Sequence, residues 1–162
     1  MSVTLLLGGA RSGKSAVAER RAGTGPVTYV ATGVADPGDG DMAARIAIHR
    51  GRRPAAWTTV ETDDLIVVIG EATGTVLVDS LTTWVARATD FLVDSDALCR
   101  ALADHDGDVI VVSDEVGLGV HPSSGPGRRF RDALGLVNQA VAVVADDVSL
   151  VVAGRVLRLD PA

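Results

Sequence analysis

The sequence is poor in cysteine, in aromatic residues, in positive charge and in long apolar runs. Its one cysteine, Cys99, cannot form a disulfide within the chain. Aromatic residues make up 3% of the chain, so a core must be built from Ala, Val, Leu and Ile. The formal net charge of -6 argues against broad electrostatic binding to nucleic acid or to an anionic membrane.

The chain also has few features of an exported or membrane protein. No apolar run approaches the roughly 20 residues that a membrane-spanning helix needs, and no basic segment precedes an apolar one at the N-terminus. We therefore expect a cytoplasmic protein. At 162 residues the chain is long enough for one domain around one sizeable core.

The apolar residues that are present fall into short runs separated by segments of helical character. We predict strands at residues 3–7, 27–32, 75–79, 109–113 and 148–153, and helices at 14–22, 41–50, 62–71, 94–103 and 128–145. Residues 33–40 are rich in turn-forming residues and predict a loop. A turn at Gly154 predicts a last strand, antiparallel at the sheet edge. The alternation predicts a single α/β domain over residues 1–162 with a mostly parallel sheet.

The first predicted strand leads directly into a glycine-rich loop. The loop sequence is Gly8-Gly9-Ala10-Arg11-Ser12-Gly13-Lys14-Ser15, which matches G-x-x-x-x-G-K-[ST] between a strand and a helix. The glycines let backbone N–H groups converge on phosphate oxygens, and the helix N-terminus adds its positive dipole end. Lys14 would supply charge to the β- and γ-phosphates, and Ser15 a Mg²⁺ ligand. This P-loop predicts a three-layer α/β/α NTPase fold of the RecA-like type.

Lys14 is the only lysine in the chain. The other residues of the Lys and Arg class are all arginines. A compact ammonium group on a flexible stem fits between phosphates where a planar guanidinium group would not. The retention of lysine at this one position supports a phosphate-binding role.

Asp79 ends the apolar run at residues 75–79. The Walker-B carboxylate of P-loop enzymes has the same place and holds Mg²⁺. Two alternatives remain open from the pattern alone. Asp79 could cap a helix that begins after Ser80, and Asp114 and Glu115 end another apolar run and compete for the same role.

His49 lies among cations near the end of a predicted helix, with Arg45, Arg50, Arg52 and Arg53 around it. Neighbouring guanidinium groups favour the neutral imidazole ring, whose free lone pair can attack phosphorus. From spacing alone, a solvated basic face is the better interpretation.

Longer runs resolve this choice, because the sequence resembles one enzyme family over nearly its whole length. These runs are Tyr29-Val-Ala-Thr32, Asp41-Met-Ala-Ala-Arg-Ile46, His49-Arg-Gly-Arg-Arg-Pro-Ala-Ala-Trp57-Thr-Thr-Val-Glu61, Ser113-Asp-Glu-Val-Gly117, Gly127-Arg-Arg-Phe-Arg-Asp132 and Gly135-Leu-Val-Asn-Gln139. They resemble the bifunctional adenosylcobinamide kinase and adenosylcobinamide-phosphate guanylyltransferase family of cobalamin biosynthesis.

The resemblance implies two reactions in one protein. The first phosphorylates the aminopropanol hydroxyl of adenosylcobinamide with ATP or GTP. The second transfers GMP from GTP onto that phosphate through a guanylylated His49 and releases pyrophosphate. The resemblance further implies a homotrimer, Mg²⁺ held by Ser15 and Asp79, and nucleotide contacts beyond the P-loop at Ala31, Thr32, Gly33, Arg50, Gly51, Arg52, Arg53, Glu61 and Asp79.

The chain departs from the family pattern in three places. It is shorter between Asp79 and Ser113, its loop at residues 36–40 is rich in glycine, and Asp114 stands where the family usually has Asn. Two rival hypotheses remain on the residues alone: a P-loop kinase of another small metabolite, and a non-catalytic GTP-binding scaffold. Covalent guanylylation would separate the family activity from both rivals.

Overall fold

A computed structural model describes residues 1–33, 51 and 53–161 of the chain. Most of the predicted loop at residues 33–40 and the whole of the predicted helix at 41–50 lie outside this part. His49, Arg50 and Arg52 of the predicted site lie outside it as well.

The centre of the fold is a sheet that has seven strands in the described part of the chain. They are β1 (Val3–Gly8), β2 (Val27–Ala31), β3 (Trp57–Glu61), β4 (Thr75–Asp79), β5 (Val109–Asp114), β6 (Asp147–Val152) and β7 (Arg155–Leu159). Their order across the sheet is β3-β2-β4-β5-β1-β6-β7. All neighbouring strands pair in parallel except β6 and β7, which form an antiparallel hairpin at one edge. The predicted parallel sheet with an antiparallel edge strand is confirmed.

Helices cover both faces of the sheet. Those of the described residues are α1 (Lys14–Ala22), α2 (Leu65–Glu71), α3 (Leu81–Arg87), α4 (Ser95–Asp104) and α5 (Gly125–Val144), with a short 3₁₀ helix at Thr89–Phe91. Among them, no helix has both the length and the apolar character of a membrane span.

Two apolar clusters, one on each face of the sheet, make the three-layer architecture. On one face Val17 and Ala18 of α1 pack with Leu6, Tyr29 and other strand residues. The opposite face packs against α2 to α5 through ten buried side chains: Leu65, Ile69, Leu81, Trp84, Val85, Leu98, Leu102, Leu134, Val137 and Val141. Because strands carry side chains alternately to the two faces, the apolar runs of the central strands are buried on both sides. Cys99 packs at the margin of the larger cluster, and burial raises the pKa of its thiol.

Helix ends explain where the structure differs from the sequence prediction. The Asp64 side chain accepts a hydrogen bond from Val67 N, so α2 begins at Leu65 and not at residue 62. The Ser124 hydroxyl caps α5 in the same way, and Pro126 occupies its first turn, so this helix begins three residues before the predicted start at 128.

Strand β3 was not predicted, and α3 was raised only in the alternative that made Asp79 a helix cap. Strand β3 lies at the sheet edge and buries only Trp57 fully, so its apolar pattern is weak. Helix α3 contains Thr82, Thr83 and Val85, whose branched side chains lower helix propensity. Burial of Leu81, Trp84 and Val85 against the sheet stabilises the helix despite that sequence.

Candidate active site

The predicted site residues in the described part of the chain lie along the carboxyl-terminal edge of the sheet, where the parallel strands end. In a parallel sheet, the residues that follow the carboxyl ends of neighbouring strands come together. The P-loop follows β1, whereas Ala31, Glu61, Asp79 and Asp114 are the last residues of β2, β3, β4 and β5. Strand β5 lies between the strands that carry Asp79 and the P-loop.

The P-loop backbone has little room for side chains at two of its glycines. A Cβ atom on Gly8 would lie 2.6 Å from both the carbonyl oxygen of Val151 and Oγ of Ser12. Gly13 has a φ of 95°, in the left-handed region that glycine adopts without strain. The turn of the β6–β7 hairpin supports the loop from outside, since Gly154 N donates to Ser12 O over 2.8 Å.

Lys14 is the first residue of α1, at the base of the P-loop. Its ammonium group donates to Gly9 O over 3.1 Å and forms an ion pair with the carboxylate of Asp114. The lysine side chain is 11% exposed and the aspartate side chain 26%. The one lysine of the chain thus faces a carboxylate at the position where phosphates would bind.

The backbone at the end of β5 is held on three sides. Asp114 N donates to Thr82 Oγ1 over 2.9 Å, and its carbonyl oxygen accepts from Asn138 Nδ2 over 3.1 Å. The buried Ser113 hydroxyl donates to Asn138 Oδ1 over 2.6 Å. Glu115 N donates to Gly8 O, which ties the strand end to the start of the P-loop. These bonds fix the direction in which Asp114 leaves the sheet.

Asp79 is oriented by a tyrosine from the neighbouring strand. The Tyr29 hydroxyl donates to Asp79 Oδ2 over 2.6 Å, and the tyrosine is only 3% exposed. Burial and the nearby Asp79 carboxylate raise the pKa of Tyr29, so the hydroxyl remains a donor even at alkaline pH, where a free tyrosine ionises. The N-cap alternative for Asp79 is not what the structure shows, because Ser80 is the residue that precedes α3.

Arg53 connects Tyr29 to a groove near Glu61. Its guanidinium carbon lies 3.4 Å from the centre of the Tyr29 ring, and its Nη1 donates to Thr59 Oγ1 over 2.9 Å. The groove has a volume of about 550 Å³ and is lined by Arg53, Pro54, Trp57, Thr59 and Glu61. Trp57 stacks beside Tyr29 with ring centres 6.2 Å apart. Aromatic, cationic and carboxylate groups thus share one open surface.

Thr32, a predicted nucleotide contact, is buried in the structure and bonds to the backbone of Ser80. It is 1% exposed, and its hydroxyl donates to Ser80 O over 2.6 Å and accepts from Ser80 N over 3.2 Å. These bonds hold the chain after Asp79. Ala31 and Gly33 flank it at the carboxyl end of β2, and Gly51 is exposed.

The residues predicted to hold Mg²⁺ fit that ion by donor chemistry. Ser15 offers a hydroxyl oxygen at the start of α1 and Asp79 a carboxylate at the end of β4. Mg²⁺ prefers oxygen ligands and is commonly held by one or two protein groups together with substrate phosphates and water. Within the described ranges no three carboxylate, histidine or cysteine side chains form a metal cluster. The donor set therefore suits a nucleotide-bound ion.

Sequence reasoning missed three residues that shape this edge: Tyr29, Thr82 and Asn138. Pairing of β2 with β4 places Ala31 opposite Asp79, which brings Tyr29 within reach of the carboxylate. Tyr29 is the only tyrosine in the chain, and its place near the end of the strand predicted at residues 27–32 was the available signal. Thr82 and Asn138 act through backbone groups of Asp114. Asn138 belongs to one of the runs that carry the family resemblance, but the run does not indicate this contact.

Solved structures with similar folds agree with the architecture. The flagellar accessory protein FlaH of Methanocaldococcus jannaschii aligns with a TM-score of 0.53 at 16% identity, covering 96% of this chain and 74% of that one. A protein of Pyrococcus horikoshii OT3 aligns with a TM-score of 0.55 at 6% identity, covering 97% and 85%. At such identities the likeness concerns the fold alone, and it agrees with the predicted three-layer α/β/α architecture.

Sequence relatives and a family model match nearly the whole chain. The bifunctional adenosylcobalamin biosynthesis protein CobP of Pseudomonas aeruginosa is 42% identical, covering 93% of this chain and 92% of its own length. The protein CobU of Salmonella typhimurium, which carries the same description, is 38% identical, covering 93% and 95%. The model for cobinamide kinase / cobinamide phosphate guanyltransferase matches residues 4–159, and the chain belongs to this family.

Proposed function

We propose that this protein phosphorylates adenosylcobinamide and then transfers GMP from GTP onto the product, giving adenosylcobinamide-GDP. One observation carries the proposal. A P-loop with its lysine and the Arg53–Glu61 groove lie at the same edge of one sheet, in a chain that matches the family from residue 4 to residue 159. The two reactions need a triphosphate site and a second nucleotide contact region, and the P-loop and the groove are the proposed candidates for them.

The kinase step depends on charge neutralisation at the P-loop. Backbone N–H groups of the loop and the start of α1 would hold the phosphates of ATP or GTP. Lys14 would offset charge on the β- and γ-phosphates while the corrinoid hydroxyl attacks the γ-phosphorus. The bond from that phosphorus to the β-phosphate oxygen breaks, ADP or GDP leaves, and the hydroxyl proton is released to solvent. Mg²⁺, held by Ser15 and Asp79, would supply further charge neutralisation of the phosphates when bound.

The guanylyl transfer step is assigned to His49. Its ring nitrogen would attack the α-phosphorus of GTP, forming a P–N bond as the bond to the β-phosphate breaks and pyrophosphate leaves. An oxygen of the corrinoid phosphate then attacks the same phosphorus, the P–N bond breaks, and the imidazole is restored. The arginines at positions 50, 52 and 53 would offset phosphate charge in both steps.

Glu61 is the proposed contact for the guanine base. A carboxylate can accept hydrogen bonds from both N1–H and N2–H of guanine, whereas adenine offers no such donor pair. Its position at the end of β3, beside Trp57 and Arg53, places this carboxylate in a groove with an aromatic wall. That combination suits a purine ring next to phosphate-binding cations.

The proposal includes a cytoplasmic homotrimer. The family resemblance supports trimerisation, and exposed apolar side chains on the outer face of α5, Leu136 and Val143, provide surface that association could bury. Sedimentation equilibrium at several protein concentrations tests the assembly, and a monomer mass throughout would refute it.

Incubation with α-labelled GTP and Mg²⁺, followed by a denaturing gel, tests the covalent step. We expect label on the wild-type protein and none on His49→Ala. His121→Ala is a matched control because His121 is exposed on the loop before α5 and should leave labelling intact. Label retained by His49→Ala would remove His49 from its assigned role.

Turnover of adenosylcobinamide with ATP or GTP tests the kinase step. Lys14→Ala should lose phosphorylation by roughly 100-fold or more, the scale seen when a main charge-stabilising group is removed. Arg100→Ala provides the control, since it removes an exposed cation on α4, across the sheet from α1. Equal activity in Lys14→Ala and wild type would contradict the P-loop assignment.

A further inference from the structure

The ion pair between Lys14 and Asp114 places a negative charge against the group that a triphosphate would contact. Lys14 also donates to Gly9 O, so two acceptors within the protein already engage its ammonium group. A bound β- or γ-phosphate needs that ammonium charge for itself. Phosphate and Asp114 are therefore competitors for one cation.

A backbone shift that separated Asp114 from Lys14 would break other hydrogen bonds. The amide of Asp114 is held by Thr82 Oγ1, its carbonyl by Asn138 Nδ2, and the next amide by Gly8 O. In the parallel register Asp114 lies opposite Gly8, the first residue of the P-loop. Release of Lys14 must then come from rotation of side chains, with the carboxylate remaining close to the bound phosphates.

The two side chains are mostly buried, at 11% and 26% exposure, so water screens their interaction only in part. Breaking such an ion pair costs free energy, and that cost lowers the affinity of the P-loop for the nucleotide. The pair also leaves a carboxylate near anionic phosphates after the ligand has bound, which adds repulsion to the cost of breaking the pair.

We propose that Asp114 is an internal counter-ion of Lys14 that the triphosphate must displace, and that it thereby sets the affinity of the P-loop for nucleotide. The proposal rests on the function proposed above, in which Lys14 binds the β- and γ-phosphates. Asp114→Asn removes the charge while it keeps the size of the side chain. The variant therefore frees Lys14 without opening a cavity.

Isothermal titration of the purified protein with GTP in EDTA is the direct measurement. We expect Asp114→Asn to bind GTP about 10-fold more tightly than wild type, a change equivalent to ~1.4 kcal/mol. GMP, which has no β- or γ-phosphate, should bind both proteins alike. Asp96→Asn is the charge-matched control, because it neutralises an exposed carboxylate on α4, which packs on the face of the sheet opposite α1. Its affinity for GTP should stay at the wild-type value.

A double-mutant cycle with Lys14→Ala assigns the effect to the ion pair. With Lys14 absent, Asp114→Asn should gain clearly less than 10-fold, since no ammonium group remains to be freed. Repeating the titrations with Mg²⁺ examines a different role for the same carboxylate. If Asp114 were a metal ligand, the Asp114→Asn protein would bind Mg²⁺-GTP more weakly than wild type. If Asp114 competes with phosphate, the affinity should not fall.

Three results would overturn the proposal: no gain for Asp114→Asn in EDTA, an equal gain with GMP, or a loss of affinity in Mg²⁺. A different failure marks the proposed function. If Lys14→Ala alone binds GTP as tightly as wild type, the P-loop role of Lys14 fails, whatever Asp114 does.

Discussion

The hydroxyl of Tyr29 donates a 2.6 Å hydrogen bond to Oδ2 of Asp79 from the neighbouring strand β2. The tyrosine ring also lies under the guanidinium group of Arg53 at 3.4 Å. One buried side chain thus contacts the carboxylate proposed for Mg²⁺ and an arginine of the proposed GMP-transfer site. Tyr29 is therefore a positioning residue between the two halves of the site.

Replacement of Tyr29 by Phe should weaken metal-dependent nucleotide binding without disturbing the fold. Phe keeps the ring beneath Arg53 but removes the donor to Asp79. We expect the Mg²⁺ concentration for half-maximal phosphorylation to rise roughly three- to ten-fold. This change corresponds to the free energy of about one hydrogen bond. Mn²⁺ binding to the GTP complex, followed by electron paramagnetic resonance, should weaken in parallel. Unchanged metal dependence in a normally folded Tyr29→Phe protein would contradict this role.

Ionisation of Tyr29 should be suppressed in the folded protein. Its pKa is raised by burial and by the Asp79 carboxylate, so the folded chain resists losing this proton. Stability is then unaffected below about pH 10, where an unperturbed tyrosine is still protonated. Above that pH the unfolded chain ionises first, and the free energy of unfolding should fall by up to about 1.4 kcal/mol per pH unit from this group.

The absorbance of tyrosinate measures this directly, because the chain has one tyrosine. In denaturant the signal should rise near pH 10, and in the native protein it should stay absent until the chain unfolds. The alkaline fall in stability should also be shallower for Tyr29→Phe than for wild type. A native titration that overlays the denatured one would refute the effect.

The first two glycines of the P-loop form a natural pair for testing its packing. Gly8→Ala would bring Cβ to 2.6 Å from a backbone carbonyl oxygen, so the loop and Val151 must separate. We expect a loss of about 1–3 kcal/mol in urea unfolding of the nucleotide-free protein, as for other overpacked sites. Gly9→Ala meets no atom within 4 Å and should stay within about 0.5 kcal/mol of wild type. Similar losses in both variants would argue against the close approach at Gly8.

His105 should contribute to stability and not to catalysis. It is 5% exposed, and its ring nitrogens lie 3.1 Å from Ile69 O and 2.7 Å from Gly74 O. Each tautomer of the ring donates its N–H to one of these carbonyls. His105→Leu would remove that donor and should cost about 1–3 kcal/mol, the cost of one buried group left unsatisfied. His121→Leu, at an exposed site, serves as the control in the same urea titration. Covalent labelling with GTP should persist in both variants while they are folded, and a stable His105→Leu protein would contradict the role.

The sequence predicts the fold well wherever one signal dominates. Helix α1 and strand β4 have the predicted bounds, because a glycine loop marks the helix start and an apolar run ends at Asp79. Strand β3 was missed because it lies at an edge and buries little. Helix α3 was missed because tertiary burial of Trp84 and its neighbours outweighs the β-branched residues that disfavour a helix.

The sequence predicts the candidate site as a set of residues but not as a set of contacts. The P-loop motif and the run from His49 to Glu61 identify the chemistry locally. The bonds of Tyr29 with Asp79 and of Lys14 with Asp114 depend on which strands are neighbours and in what register. Strand order is a property of the whole sheet, so the sequence near each residue does not contain it.

The single lysine of this chain makes its P-loop unusually easy to observe. A protein grown with isotope-labelled lysine carries the label at one residue, Lys14, and a magnetic resonance spectrum then reports one ammonium group without assignment of any other. Exchange of its carboxylate partner for a phosphate would move that one signal. Lysine labelling therefore gives a spectroscopic probe at the P-loop without any change to the sequence.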